Sequence, residues 1–174
     1  MEKKAFVTKE QIEEIVKTYP TPFHIYDEKG LRANAKAVKE AFAWNKGYKE
    51  FFAVKALPNP FIMNILKEYG VGSDCSSYTE LMLADKCGIN GNNIMFSSND
   101  TPAADFILAD KVGATINLDD FSHIEFLEKT LGKLPERLSL RYNPGGVVTI
   151  SNGIMDNPGD AKYGMTKEQI IEAY

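Results

Sequence analysis

Apolar residues along this chain fall into short unbroken runs, and each run is followed by a stretch with helical spacing. "KEFFAVK" (49–55) reads as a buried strand, and "PFIMNILKEYG" (60–70) as a helix with proline in its first turn and glycine after its end. "VGSD" (71–74) is the next strand, and Ser77 with Glu80 three residues later forms a capping box for the helix behind it. "NIMFS" (93–97) precedes "TPAADFILADKVG", where Thr101 is the expected cap, Pro102 the first helical position and Gly113 the stop. "ATINL" (114–118) leads to "SHIEFLEKTLG" with a capping box at Ser122 and Glu125, and "RLSLRYN" (137–143) is a fifth strand. Strands begin at 49, 71, 93, 114 and 137, so the repeat is a βα unit.

Near-continuous apolar strands alternating with helices imply a parallel sheet covered by helices. Two architectures satisfy that pattern. A doubly wound open sheet of five or six strands fits the length. A (β/α)8 barrel takes about 250 residues, so this chain would hold only its first five βα units. The closing "TKEQIIEAY" opens with a capping box at Thr166 and Gln169 and meets no stop signal. That ending favours the second architecture, a partial barrel in a chain cut within an element.

Composition narrows the function classes. The 174 residues are 44% hydrophobic and 25% charged, with formal net charge −4 and no Lys/Arg-rich run, so neither nucleic acid nor an anionic membrane is an expected partner. The first twenty residues lack the apolar core of a signal peptide, and a cytoplasmic location is expected. Two cysteines make no disulfide framework and two histidines no zinc spacing, so no metal is expected.

In either architecture the working face lies at the carboxyl ends of the strands. Lys55 stands there first, then Asp74 and Ser76, then Ser97, Ser98 and Asn99, then Asn117 and Asp119, and last Arg141 and Asn143. Read alone, Lys55 is either a snorkelling surface lysine or a functional amine. Capping accounts for Ser77 and Glu80, and Asp119 reads as a lead-in to its helix. Lys55, Asp74 and Arg141 have no such local role. A lysine with opposite charge nearby suits nucleophilic use, and an aldehyde cofactor is what such a lysine commonly holds.

In order, "TPFHIYDEKGLRAN", "FFAVKALPNP", "GSDCSSYTEL", "RYNPG" and "KYGM" resemble the amino-terminal half of the diaminopimelate decarboxylases. More widely they resemble the fold type III, pyridoxal-phosphate-dependent basic amino acid decarboxylases, whose barrel is alanine-racemase-like. The resemblance runs over residues 21–165. It implies that Lys55 is the catalytic lysine that carries pyridoxal 5'-phosphate, with Asp74 and Glu80 beside the cofactor and Arg141 on its phenolic oxygen side. It also implies that Lys162 matches a lysine that pairs across subunits in some relatives, and that the protein is a homodimer. Residues 1–27, a helix and the strand "FHIYD", would join a carboxy-terminal β domain, and 28–174 would form the incomplete cofactor-binding barrel.

The chain also departs from the pattern. The family often has "VKAN" where this sequence has "VKALPN". The ring-stacking histidine, the phosphate loop and the second domain are expected beyond residue 174. His24 reads as a packed strand residue, His123 as a first-turn helix residue, and Cys75 as a small buried packer. The expected reaction is decarboxylation of the small-molecule amino acid meso-diaminopimelate to lysine in the full-length parent. This chain alone is expected to be inactive and to self-associate. The alternatives are another basic amino acid (ornithine, arginine, carboxynorspermidine), a non-catalytic cofactor-binding relative, or an unrelated doubly wound domain.

Overall fold

The structure is a computed structural model that describes residues 4–147 and 163–174. The chain divides into two compact units, Met1–Lys46 and Gly47–Tyr174. The first holds helices α1 (Lys9–Thr18) and α2 (Glu28–Ala41). A capping box opens α1: the Gln11 N–H donates to Thr8 Oγ1 at 3.2 Å, and the Thr8 N–H to Gln11 Oε1 at 2.8 Å. Asp27 caps α2 by accepting the Gly30 N–H at 2.9 Å. The expected strand "FHIYD" does not form a ladder in this structure, and His24 is exposed rather than packed. A strand needs a neighbour for its backbone groups, and the described residues of this unit contain none. Within the segment, His24 and Tyr26 stack their rings 6.3 Å apart.

The second unit carries β1 (Phe51–Ala53), β2 (Gly72–Cys75), β3 (Ile94–Ser98), β4 (Thr115–Leu118) and β5 (Leu138–Leu140). All four pairings are parallel, and the spatial order is the chain order. Helices α3 (Pro60–Glu68), α4 (Tyr78–Lys86), α5 (Ala103–Lys111) and α6 (Ser122–Leu131) connect them, and α7 (Lys167–Ala173) follows. A doubly wound sheet reverses strand order at a switch point, whereas consecutive order is that of a barrel. This is a partial (β/α)8 barrel.

Alternation within the strands separates two faces. On β3, Ile94, Phe96 and Ser98 are buried while Met95 and Ser97 are partly open; on β4, Ile116 and Leu118 are buried while Thr115 and Asn117 are not. Ile94, Phe96, Ile116 and Leu118 form one core with Leu81, Ala84, Phe106, Ala109 and Leu127 of the helices. The opposite, concave face carries the polar residues.

Local capping differs from expectation at three helices. Ser77 does cap α4, accepting the Glu80 N–H at 3.4 Å, but the Glu80 carboxylate takes the N–H of Ser76 (2.9 Å) instead of closing the box on Ser77. At α5 the cap position is Pro102, and the Thr101 hydroxyl is buried without a hydrogen-bond partner. At α6 Asp120 accepts from the Ser122 N–H (2.8 Å) and hydroxyl (2.5 Å), while Glu125 pairs with Lys129, so the expected box at Ser122 is replaced. Only at α6 does a nearer acceptor, Asp120, displace the sequence-local one. Two caps come from neighbouring helices: Asp105 of α5 accepts the Tyr78 N–H at the start of α4 (3.0 Å), and Lys67 of α3 donates to the Cys87 carbonyl at its end (2.8 Å). These contacts fix α4 from both ends, and α4 begins at the site described next.

Candidate functional site

Strand β1 is shorter than its apolar run. The chain tightens into a 3₁₀ turn over Val54–Ala56, which places Lys55 on that turn with its side chain exposed. Val54 beside it is fully buried and anchors the turn. The displaced asparagine of "VKALPN", Asn59, is engaged in capping α3 through the Phe61 N–H at 3.0 Å.

Asp74 lies next to β1, since Ala53 pairs with Asp74 in the ladder. Its carboxylate is half-buried on the concave face and accepts a hydrogen bond from the Ser97 hydroxyl of β3. Burial pushes the Asp74 carboxyl above its ordinary range; the Ser97 bond and then the Lys55 ammonium pull it back, and the Glu80 charge pushes it up again. Glu80 itself folds over the start of α4, where its carboxylate also accepts from the Ser76 and Ser77 hydroxyls at 3.2 Å each. Cys75, one residue past Asp74, is fully buried, and burial pushes its thiol up to about 12, which leaves it without nucleophilic character.

Further along the concave face, the Ser139 hydroxyl of β5 donates to Asn117 Oδ1 of β4 at 2.8 Å. Arg141 follows β5, and its Nη1 donates to Asp119 Oδ1 at 2.8 Å. Asp119, read from sequence as a helix lead-in, is in fact buried, and the lead-in role belongs to Asp120. The sequence signal for Asp119 was only its place at a strand end. A short strap covers this corner: Tyr142 bridges to Met165 in parallel, and the Arg141 guanidinium lies 5.4 Å from the centroid of the Tyr163 ring. Lys162 lies outside the described residues. His123 is a first-turn residue of α6, packed edge-on against Phe106 at 6.1 Å on the helix side of the sheet.

A primary amine, three carboxylates and a guanidinium thus gather at the carboxyl ends of a parallel sheet. Residues 28–174 match the family described as pyridoxal-dependent decarboxylase, pyridoxal binding domain. The chain belongs to this family. It is 39% identical to Protein TabA of Pseudomonas amygdali pv. tabaci over 94% of its own length and 37% of that protein. It is 30% identical to the diaminopimelate decarboxylase of Thermoplasma acidophilum, over 94% of its length and 39% of that protein. Among solved structures, the diaminopimelate decarboxylase of Helicobacter pylori complexed with L-lysine superposes with TM-score 0.74 at 28% identity, covering 94% of this chain and 42% of that one. Lysine decarboxylase from Selenomonas ruminantium shares the fold, with TM-score 0.79 at 19% identity over 98% of this chain and 42% of that one. The chain spans about two fifths of the length of these relatives.

As a pyridoxal-binding domain, the chain has a donor set that suits pyridoxal phosphate. Lys55 is an accessible amine for an aldehyde, and Arg141 a cation for an anionic oxygen. The face between them carries Asp74, Ser97, Thr115 and Asn117 beside Met95, where a closed barrel interior would ordinarily be filled by branched apolar side chains. Among the described residues no helix is long and apolar enough to cross a membrane, and no group of three His, Cys, Asp or Glu side chains is arranged to hold a metal ion.

Proposed function

We propose that this domain supplies the cofactor-bearing lysine of an amino acid decarboxylase acting on meso-diaminopimelate, with Lys55 as the attachment point. The observation that carries the reading is the placement of Lys55 just past β1 and of Asp74 at the paired end of β2, with Glu80 of α4 folded over the turn between Asp74 and that helix, inside a pyridoxal-binding domain. Relatives named as diaminopimelate decarboxylases support the substrate. Ornithine, arginine and carboxynorspermidine are the competing substrates.

When bound, pyridoxal phosphate supplies an electron sink for the pair left behind by a departing carboxylate. The protein side chains do the rest. Lys55 presents its amine from a turn anchored by Val54, so its position is set by packing while its head stays accessible. Asp74 presents its carboxyl group from the neighbouring strand end, held by a hydrogen bond from the Ser97 hydroxyl. Glu80 braces the Ser76–Ser77 turn that leads from Asp74 into α4. Arg141 offers a cation from the β5 side of the same concave face. Among the described residues the β1 and β5 edges pair with no further strand, which supports self-association, and sedimentation of the protein would test it.

The decisive test is chemical. Incubation with pyridoxal phosphate should give a visible-range absorbance, and borohydride should fix the adduct on the peptide containing residue 55. Lys55→Ala protein should lose both signals, and an unchanged adduct in that variant would remove Lys55 from its role. Carbon dioxide release from the four amino acids, measured in the complete enzyme that carries this domain, decides the substrate.

A further inference from the structure

We propose that Asp119 is the positioning residue for Arg141, holding its guanidinium where the cofactor's anionic oxygen would sit. The proposal rests on the reading that Arg141 serves the cofactor. The two side chains are unequally exposed: 47% for Arg141 and 7% for Asp119. An arginine so open to solvent has water as an alternative partner, whereas a buried carboxylate without a cation is costly. The constraint therefore runs from Asp119 to Arg141.

The backbone makes the holder rigid. Leu118 and Leu140 are the last paired residues of β4 and β5, so Asp119 and Arg141 emerge side by side one step beyond the ladder. The Arg141 N–H donates to the Leu118 carbonyl at 3.0 Å. The strap then ties both residues: the Gly164 N–H donates to the Asp119 carbonyl (2.8 Å) and the Met165 N–H to the Arg141 carbonyl (2.7 Å). Met165 is fully buried and anchors the strap in the core. Gly164 has φ +85°, and a Cβ there would meet Arg141 Cγ and its carbonyl oxygen at 3.2 Å, so the strap passes this close only as glycine. Carboxylate on one side and the Tyr163 ring on the other leave the guanidinium few orientations.

The test is a double-mutant cycle on cofactor affinity in the pyridoxal-phosphate-loaded protein. Asp119→Asn should weaken cofactor binding about tenfold, the scale of one charge-assisted hydrogen bond. In an Arg141→Ala background the same substitution should change affinity less than about twofold, because its effect passes through Arg141. Full additivity would make Asp119 a merely structural residue and overturn the proposal. If Arg141→Ala weakens binding but Asp119→Asn does not, the proposal fails and the reading of Arg141 stands. If Arg141→Ala is without effect, both fall. A measurement on the wild type covers the case in which a variant does not fold. Side-chain NMR should show hindered rotation of the Arg141 guanidinium before cofactor is added, and free rotation would overturn the proposal.

Discussion

Removing the Asp105 carboxylate should loosen the start of α4 and with it the turn that carries Glu80. Asp105 is buried on α5 and accepts the Tyr78 N–H at 3.0 Å, across 27 residues of sequence. Tyr78 is the first residue of α4, and its N–H has no partner within the helix. Asp105→Ala deletes the acceptor, leaves that N–H without a protein partner, and removes a negative charge from a helix N-terminus. Cap losses cost about 0.5–2 kcal/mol and the charge about 0.3–1 kcal/mol, so about 2 kcal/mol is expected for the pair of effects. With a urea dependence of about 2 kcal/mol/M, the unfolding midpoint should fall by about 1 M. Asp105→Asn keeps an oxygen acceptor and loses the charge, so its midpoint should fall by about 0.15–0.5 M on the same scale. Hydrogen exchange at the Tyr78 amide gives the local readout and should accelerate most in the alanine variant. A midpoint within about 0.2 M of wild type for Asp105→Ala, well inside the expected shift, would refute the cross-helix cap. Equal losses in the two variants would show that charge alone matters and the hydrogen bond does not.

Three further outcomes are expected. Phe96 is fully buried and packs edge-on against Phe106 with centroids 6.3 Å apart, so Phe96→Ala should cost about 3–5 kcal/mol in urea unfolding; a loss under about 1 kcal/mol would contradict its central place in the core. Burial raises the Cys75 thiol from 9.0 to about 12, with the Glu80 and Asp74 charges adding to it. A raised folded value means that the stability contribution is complete below the unfolded thiol's value and is lost as pH climbs from there toward 12. Cys75→Ala should flatten that alkaline decline in unfolding midpoint, and identical declines in both proteins would count against the assignment. Gly164→Ala places a side chain at φ +85° and crowds Arg141, so it should lower stability by about 1–2 kcal/mol and change the Arg141 side-chain NMR signals; unaltered signals would show that the strap does not control the arginine.

Local rules carry much of this protein. Each βα unit is bounded by signals that act within a few residues, which is why strand and helix positions are legible from hydrophobic runs, Pro60, Gly70 and Gly113. The same repeat puts Lys55, Asp74 and Arg141 at strand ends, so the candidate site is readable before any contact is known. Partnership is another matter. Ser97 reaches Asp74 across 23 residues, and Arg141 reaches Asp119 across 22, in a register that no local pattern encodes. Strand alternation is the same whichever face is packed, so only the helices decide that Phe96 is core and Ser97 is site. Caps moved for a related reason. A serine and a glutamate three apart permit a capping box, but Asp120 takes the Ser122 N–H that Glu125 would have accepted, and Glu80 takes the Ser76 N–H rather than that of Ser77; position in space decides the contest. Asp119 looks like a helix lead-in in sequence for the same reason: only with β4 and β5 side by side is its carboxylate buried against an arginine from the next strand.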